Sequence, residues 1–150
     1  MPSLYDPKSV QEIHERLGRL QAGAQRQWGT MTASQGLAHC AHAMRLALGD
    51  TRLPRLFLGR LIGRFIKNLA IHNDRPLRRN TPTDPNFLVK DDPDFEANRT
   101  ALMELLDRFH AVGPAGCTPH PHSFFGKLTP EEWSILQYKH LDHHLRQFGA

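Results

Sequence analysis

Residues 128–147 read LTPEEWSILQYKHLDHHLRQ, and the punctuation of that stretch decides the fold. Thr129 is a helix cap, Pro130 suits the first helical position, and Glu131 and Glu132 place acids in the first turn, where the helix dipole favours them. The helix so opened runs to about Gln147. Trp133, Leu136 and Leu141 share one broad face, which predicts a buried side. At about 100° per residue, His140 and His144 lie about 40° apart on that same face, one turn above the other, with His143 nearer the rim.

Upstream, the same periodicity recurs. Val10, Ile13, Leu17 and Leu20 predict a first helix over Ser9–Gln21, with Gly23 just past its end. Thr32 or Thr30 caps a second helix running to about Leu48, stopped by Gly49. Residues 54–72 form an apolar and basic stretch, read as an extra helix despite Gly59 and Gly63. Residues 73–92, rich in Pro, Asn and Asp, predict a long irregular connection. Asp91 or Asp92, with Pro93, opens a further helix to about Val112 that carries Leu102, Leu105, Leu106 and Phe109 on one stripe. Strand alternation is nearly absent. The expected fold is all-α, a single four-helix bundle over residues 1–150 with a basic helix inserted between its second and third helices.

Composition narrows the class. A chain of 150 residues with 39% hydrophobic and 23% charged residues is an ordinary globular domain. No stretch reaches the ~18 apolar residues of a membrane span, and the first residues lack the basic start and apolar middle of a signal peptide. Two cysteines, Cys40 and Cys117, are too few for a disulfide framework, which predicts a cytoplasmic protein. The net charge of +4 conceals an asymmetry. Between Thr51 and Arg79 stand eight basic residues and one acid, Asp74, so this segment carries +7 and the rest of the chain −3. Its apolar side suits docking across the bundle, a dimer face or a membrane surface. Arg60 and Arg64 are candidate contacts for an anionic substrate or partner. No nucleic-acid motif accompanies the patch, so nucleic acid is disfavoured.

The unusual count is histidine, ten in all, five of them in two helical segments: His39 and His42 on the second helix, His140, His143 and His144 on the last. An imidazole in a core needs partners for both ring nitrogens, and leaving a buried polar group unpaired costs about 1–3 kcal/mol. Two histidines four residues apart can grip one ion, and a third from a facing helix leaves further positions open. An ordinary solvated or packed pair gives the same spacing, and a second cluster on another core-facing helix brings the metal reading level with it. Gln35 and Gln137 are candidate supports for the second nitrogens of the ligands. Asp142, His42 and His143 are the available bases, none placed at a clear helical step on the ligand face. Cys117, His120 and His122 form a CxxHxH string in a turn-rich loop, where His120 or His122 is expected to touch substrate.

The histidine in MTASQGLAHCAHAMRLALGD (31–50), followed about 100 residues later by HxxxH, resembles the DinB-like (DinB/YfiT) metalloenzyme superfamily. Trp28-Gly29 before MTASQ, then FFGKLTPEEW and KHLDHHLRQF, are similar to an uncharacterised branch of it. The resemblance implies an up-down-down-up bundle, a homodimer, and a divalent metal on His39, His140 and His144. His42 then becomes a support or substitute ligand, as does His143. Zinc or nickel is the first expectation, iron or manganese the next. Superfamily members include thiol-dependent transferases and hydrolases, so the implied function is a metal-dependent reaction on a small molecule, with a low-molecular-weight thiol as one co-substrate. The alternative is a non-catalytic metal-binding bundle that takes an anionic ligand or partner.

Overall fold

Side-chain caps start four of the five helices in the computed structural model, which describes residues 1–150. Asp6 accepts from the Lys8 amide, with Pro7 next, and opens α1 (Pro7–Arg19). Thr32 and Gln35 form a capping box at the head of α2 (Ala33–Leu48), and Gly49 ends it at φ 79°, a left-handed turn that glycine adopts without strain. α3 (Phe57–Ile71) begins without a side-chain cap. Asp94 caps α4 (Phe95–Val112), and a second capping box, Thr129 with Glu132, opens α5 (Pro130–Gln147). There are no strands, only an isolated bridge between His122 and Gly126.

Several boundaries differ from the sequence expectation: α1 ends at Arg19, and α3 lies inside its expected 54–72 range. α1 starts two residues before Ser9, because Asp6-Pro7 supplies both cap and first turn. α4 starts after Asp94 rather than Asp91 or Asp92. The cap falls one residue beyond Pro93, where Asp94 Oδ1 accepts from the Ala97 amide at 2.7 Å. The irregular connection contains one short 3-10 turn, Pro85–Phe87, whose Phe87 is buried.

α2 packs on α4 and α5, α1 packs on the same two helices, and α3 touches α5. A cluster of 26 buried apolar residues joins α1, α2, α4 and α5 in one core; from α3 only Ile71 enters it. Ile13, Leu17, Met44, Leu102, Leu106, Phe109, Trp133 and Leu141 are essentially inaccessible, each contributing about 1.5–3 kcal/mol by burial. Polar fastenings hold the periphery. Arg16 ties α1 to α5 through Asp142 at 2.9 Å. Lys139 of α5 donates to the carbonyls of Ala70 at 2.8 Å and Asn73 at 2.6 Å, taking up carbonyls left open at the end of α3.

Candidate metal centre

α2 and α5 face each other with their partners in opposite order. His39 stands opposite His140, and Leu46 and Trp133, two turns along from each, line a common cavity. Across this seam His39 Nε2 lies 2.8 Å from His140 Nε2. The ring of His144 completes a near-equilateral triangle, with centroid separations of 4.8, 4.8 and 4.7 Å. One nitrogen from each ring falls within 4.8 Å of the other two, close enough for one ion to engage all three.

The outer nitrogens explain why the inner ones converge. His39 Nδ1 faces the Phe87 carbonyl at 3.4 Å, and His144 Nδ1 faces Gln147 Oε1 at 2.8 Å. The Gln147 amide is itself oriented, because its Nε2 donates to the Trp28 carbonyl at 2.9 Å. Both Nδ1 partners can only accept, so these imidazoles carry their protons on Nδ1 and turn Nε2 lone pairs inward. His140 Nδ1 is buried without a partner. Burial pushes His39 down to about 4 and His144 down to about 3, and it holds His140 well below its ordinary value; repulsion from neighbouring histidines, His143 among them in each case, adds to this. All three rings are therefore neutral at pH 7, the form that binds metal. The donor set fits a divalent ion of the zinc, nickel or iron type.

The neighbouring candidates fall elsewhere. His42 is exposed and outside the cluster. Gln35 does not support His39, because the cap claims it: its Oε1 accepts from the Thr32 amide at 2.9 Å and its Nε2 donates to the Asp91 carbonyl at 3.1 Å. Gln137 is buried but hydrogen-bonds to none of the three rings, its Oε1 remaining without a partner. His143 packs edge-on to Trp28 at 5.3 Å and to His144 at 5.1 Å, forming the rim. The Arg79 guanidinium covers Trp28 at 4.2 Å. Asp142 is held by Arg16 at 2.9 Å and Arg146 at 3.4 Å, which removes it as a free base. Gln147 and the Phe87 carbonyl, the two supports present, were not among the sequence candidates. Gln147 had a signal, its three-residue step from His144; a backbone carbonyl from a distant turn has none.

A cavity of about 130 Å³ is lined by Leu46 and Trp133, each two helical turns or about 10 Å along its helix from the triad. His120, His122, Ser123, Thr51 and Arg52 line it, and no acidic residue does. His120 and His122 thus line this cavity rather than the triad, and they do not converge with Cys117 on one point. His122 Nδ1 accepts from the amides of Phe124 at 3.1 Å and Phe125 at 3.3 Å, and Cys117 Sγ lies 3.6 Å from the Ala47 carbonyl. Burial pushes His122 down to about 4, so it too is neutral. Arg60 and Arg64 stand exposed on α3 and line neither the cavity nor the triad; Arg52 is the guanidinium at the cavity.

The chain belongs to a family described as "Protein of unknown function (DUF1569)", which matches residues 5–150. No curated protein and no solved structure matches it.

Proposed function

We propose that this member of the DUF1569 family is a metal-dependent enzyme acting on a small molecule, with His39, His140 and His144 as the ligands. In this reading α1, α2, α4 and α5 form a DinB-like up-down-down-up bundle and α3 is an addition to it. The observation that carries the proposal is the convergence of Nε2 atoms from α2 and α5, with the outer nitrogens of His39 and His144 already engaged by acceptors. An imidazole pair that merely filled a core would not need its proton positions fixed so that lone pairs meet.

Bound there, a divalent ion, zinc or nickel before iron or manganese, would supply the Lewis acidity common to hydrolysis and thiol transfer. The chain's own residues do the rest. Gln147 and the Phe87 carbonyl orient the ligand rings. Trp28 and His143 wall the site and exclude water from one side. The cavity beside Arg52, His122 and Ser123 receives the remainder of the substrate, and its lack of acids favours an anionic one, such as a carboxylate-bearing thiol. Both cysteines are free, which suits the reducing cytoplasm in which such thiols accumulate.

One observation favours a second reading, a non-catalytic metal-binding bundle: no unpaired carboxylate stands beside the triad to act as a base, Asp142 being paired twice. Elemental analysis of protein purified without a histidine tag decides the common premise. Near one ion per chain is expected, and a content near zero that reconstitution does not raise overturns both readings. Turnover of the loaded protein with a panel of low-molecular-weight thiols, activated electrophiles and esters then separates enzyme from binder.

A further inference from the structure

α3 is turned inside out. Gly59 and Gly63, one turn apart, face the body so closely that a Cβ on either would run into the Phe124 carbonyl. With Ile71 they are the only buried residues of the helix. The large side chains point the other way: Phe57, Leu61 and Phe65 are 78%, 67% and 68% exposed, and Leu58, Ile62 and Leu69 extend the same stripe. Polar contacts fix this orientation. Arg55 Nη1 donates to the His122 carbonyl at 2.9 Å, the Leu56 amide to the Ser123 carbonyl at 3.0 Å, and Lys67 pairs with Glu132 at 2.8 Å. A soluble monomer rarely leaves so continuous an apolar surface open.

Charge says what covers it. Arg60 and Arg64 flank the stripe on one side, Arg75 and Arg78 follow the helix, all four are exposed, and residues 57–71 contain no acid. A second copy packed on the stripe about a two-fold axis would set the same basic flank against itself, with no carboxylate on the helix to answer it. Anionic lipid headgroups would answer it. The +7 of residues 51–79 against −3 elsewhere also turns this side of the molecule toward a negative surface.

We infer that α3 is an interfacial helix that seats the protein on an anionic bilayer. Phe57, Leu61 and Phe65 enter the boundary between headgroups and acyl chains, while Arg60 and Arg64 meet the phosphates. The helix lies on the bilayer rather than through it, since no helix of the chain is long and apolar enough to cross.

Co-sedimentation of the full chain with vesicles tests this, using phosphatidylcholine alone and phosphatidylcholine mixed with phosphatidylglycerol. Binding to the mixed vesicles only is expected. Phe57→Ser with Phe65→Ser should abolish it, and Arg60→Gln with Arg64→Gln should weaken it about 30-fold, the effect of two charges near an anionic surface. Neither pair lies in the core, so both variants should keep the wild-type circular dichroism and metal content, and the arginine pair alone suffices if the phenylalanine pair does not fold. The inference is overturned by binding to neither vesicle, by equal binding to both, or by a wild-type dimer in solution that the phenylalanine variant converts to monomer. None of these results bears on the metal triad.

Discussion

His39 Nε2 and His140 Nε2 lie 2.8 Å apart across the α2–α5 seam, with 101 residues of chain between them. Two bare lone pairs at that distance repel, so a proton or a cation must lie between them. Because His39 carries its proton on the nitrogen facing Phe87, only His140 could supply the proton, and a proton so shared would join two of the three rings. A cation would relieve the inner repulsion and engage the third ring as well. His39→Ala, His140→Ala and His144→Ala should therefore each lower metal content from near one ion per chain to near zero after desalting, measured by elemental analysis. His42→Ala, at an exposed position outside the cluster, should leave it unchanged. Full stoichiometry in His140→Ala would remove the triad from consideration.

Gln147 is the side chain that fixes the orientation of His144. Gln147→Leu keeps roughly the same volume but deletes the acceptor for His144 Nδ1 and the donor to the Trp28 carbonyl. Metal affinity is expected to fall about 10–100-fold, the usual effect of losing such a support, with a stability loss of about 1–3 kcal/mol from the carbonyl left unpaired. Competition with a chromogenic chelator measures the first and urea denaturation the second. If affinity is unchanged while stability falls, Gln147 serves the fold and not the metal.

Much of this was legible in the chain. Thr129-Pro130 and the 3.6-residue periodicity give α5 and place His140 and His144 on its buried face. The same reasoning puts His39 inward on α2. Gln35 was misread because face periodicity places it one turn before His39, whereas Thr32-x-x-Gln35 is also a capping box, and the cap holds the side chain at the helix end. Phe87 could not be read at all, since it acts through a backbone carbonyl whose position depends on how residues 73–92 turn. For α3 the sequence left the role of its apolar face open, for a related reason. Its apolar stripe suited docking across the bundle, a dimer face or a membrane surface alike, and docking follows the close backbone approach that two glycines permit, which no hydrophobic pattern encodes.

That close approach makes Gly63→Ala informative. In an exposed helix the change would stabilise by about 1 kcal/mol through helix propensity. Here the new Cβ meets the Phe124 carbonyl, a backbone atom that cannot swing away. The expected outcome is a loss of about 1–3 kcal/mol in denaturant unfolding, as for other overpacked sites, with faster amide exchange in α3 and in residues 122–127. Metal content should stay unchanged. A gain in stability would mean that α3 does not rest on its glycine face in solution.

His122 sets a second measurable term, the response to acid. Its Nδ1 accepts two backbone amides, so a proton there would break both contacts, and burial already pushes the group down to about 4 from its ordinary 6.5. Between those two values the unfolded chain binds a proton that the folded chain refuses. Stability contributed by the neutral ring is thus complete above pH 6.5 and falls as the pH drops toward 4, by up to about 3 kcal/mol for this one group. His39, His140 and His144 are lowered too and steepen the same descent, so the wild-type slope alone does not isolate His122. His122→Asn does: asparagine can accept the same amides through its side-chain oxygen and does not titrate. Unfolding in urea at pH 7 and pH 4.5, with chelator present throughout so that metal release adds nothing, should show the variant losing less stability on acidification than the wild type. Equal losses in the two proteins would mean that His122 is not held neutral by its loop.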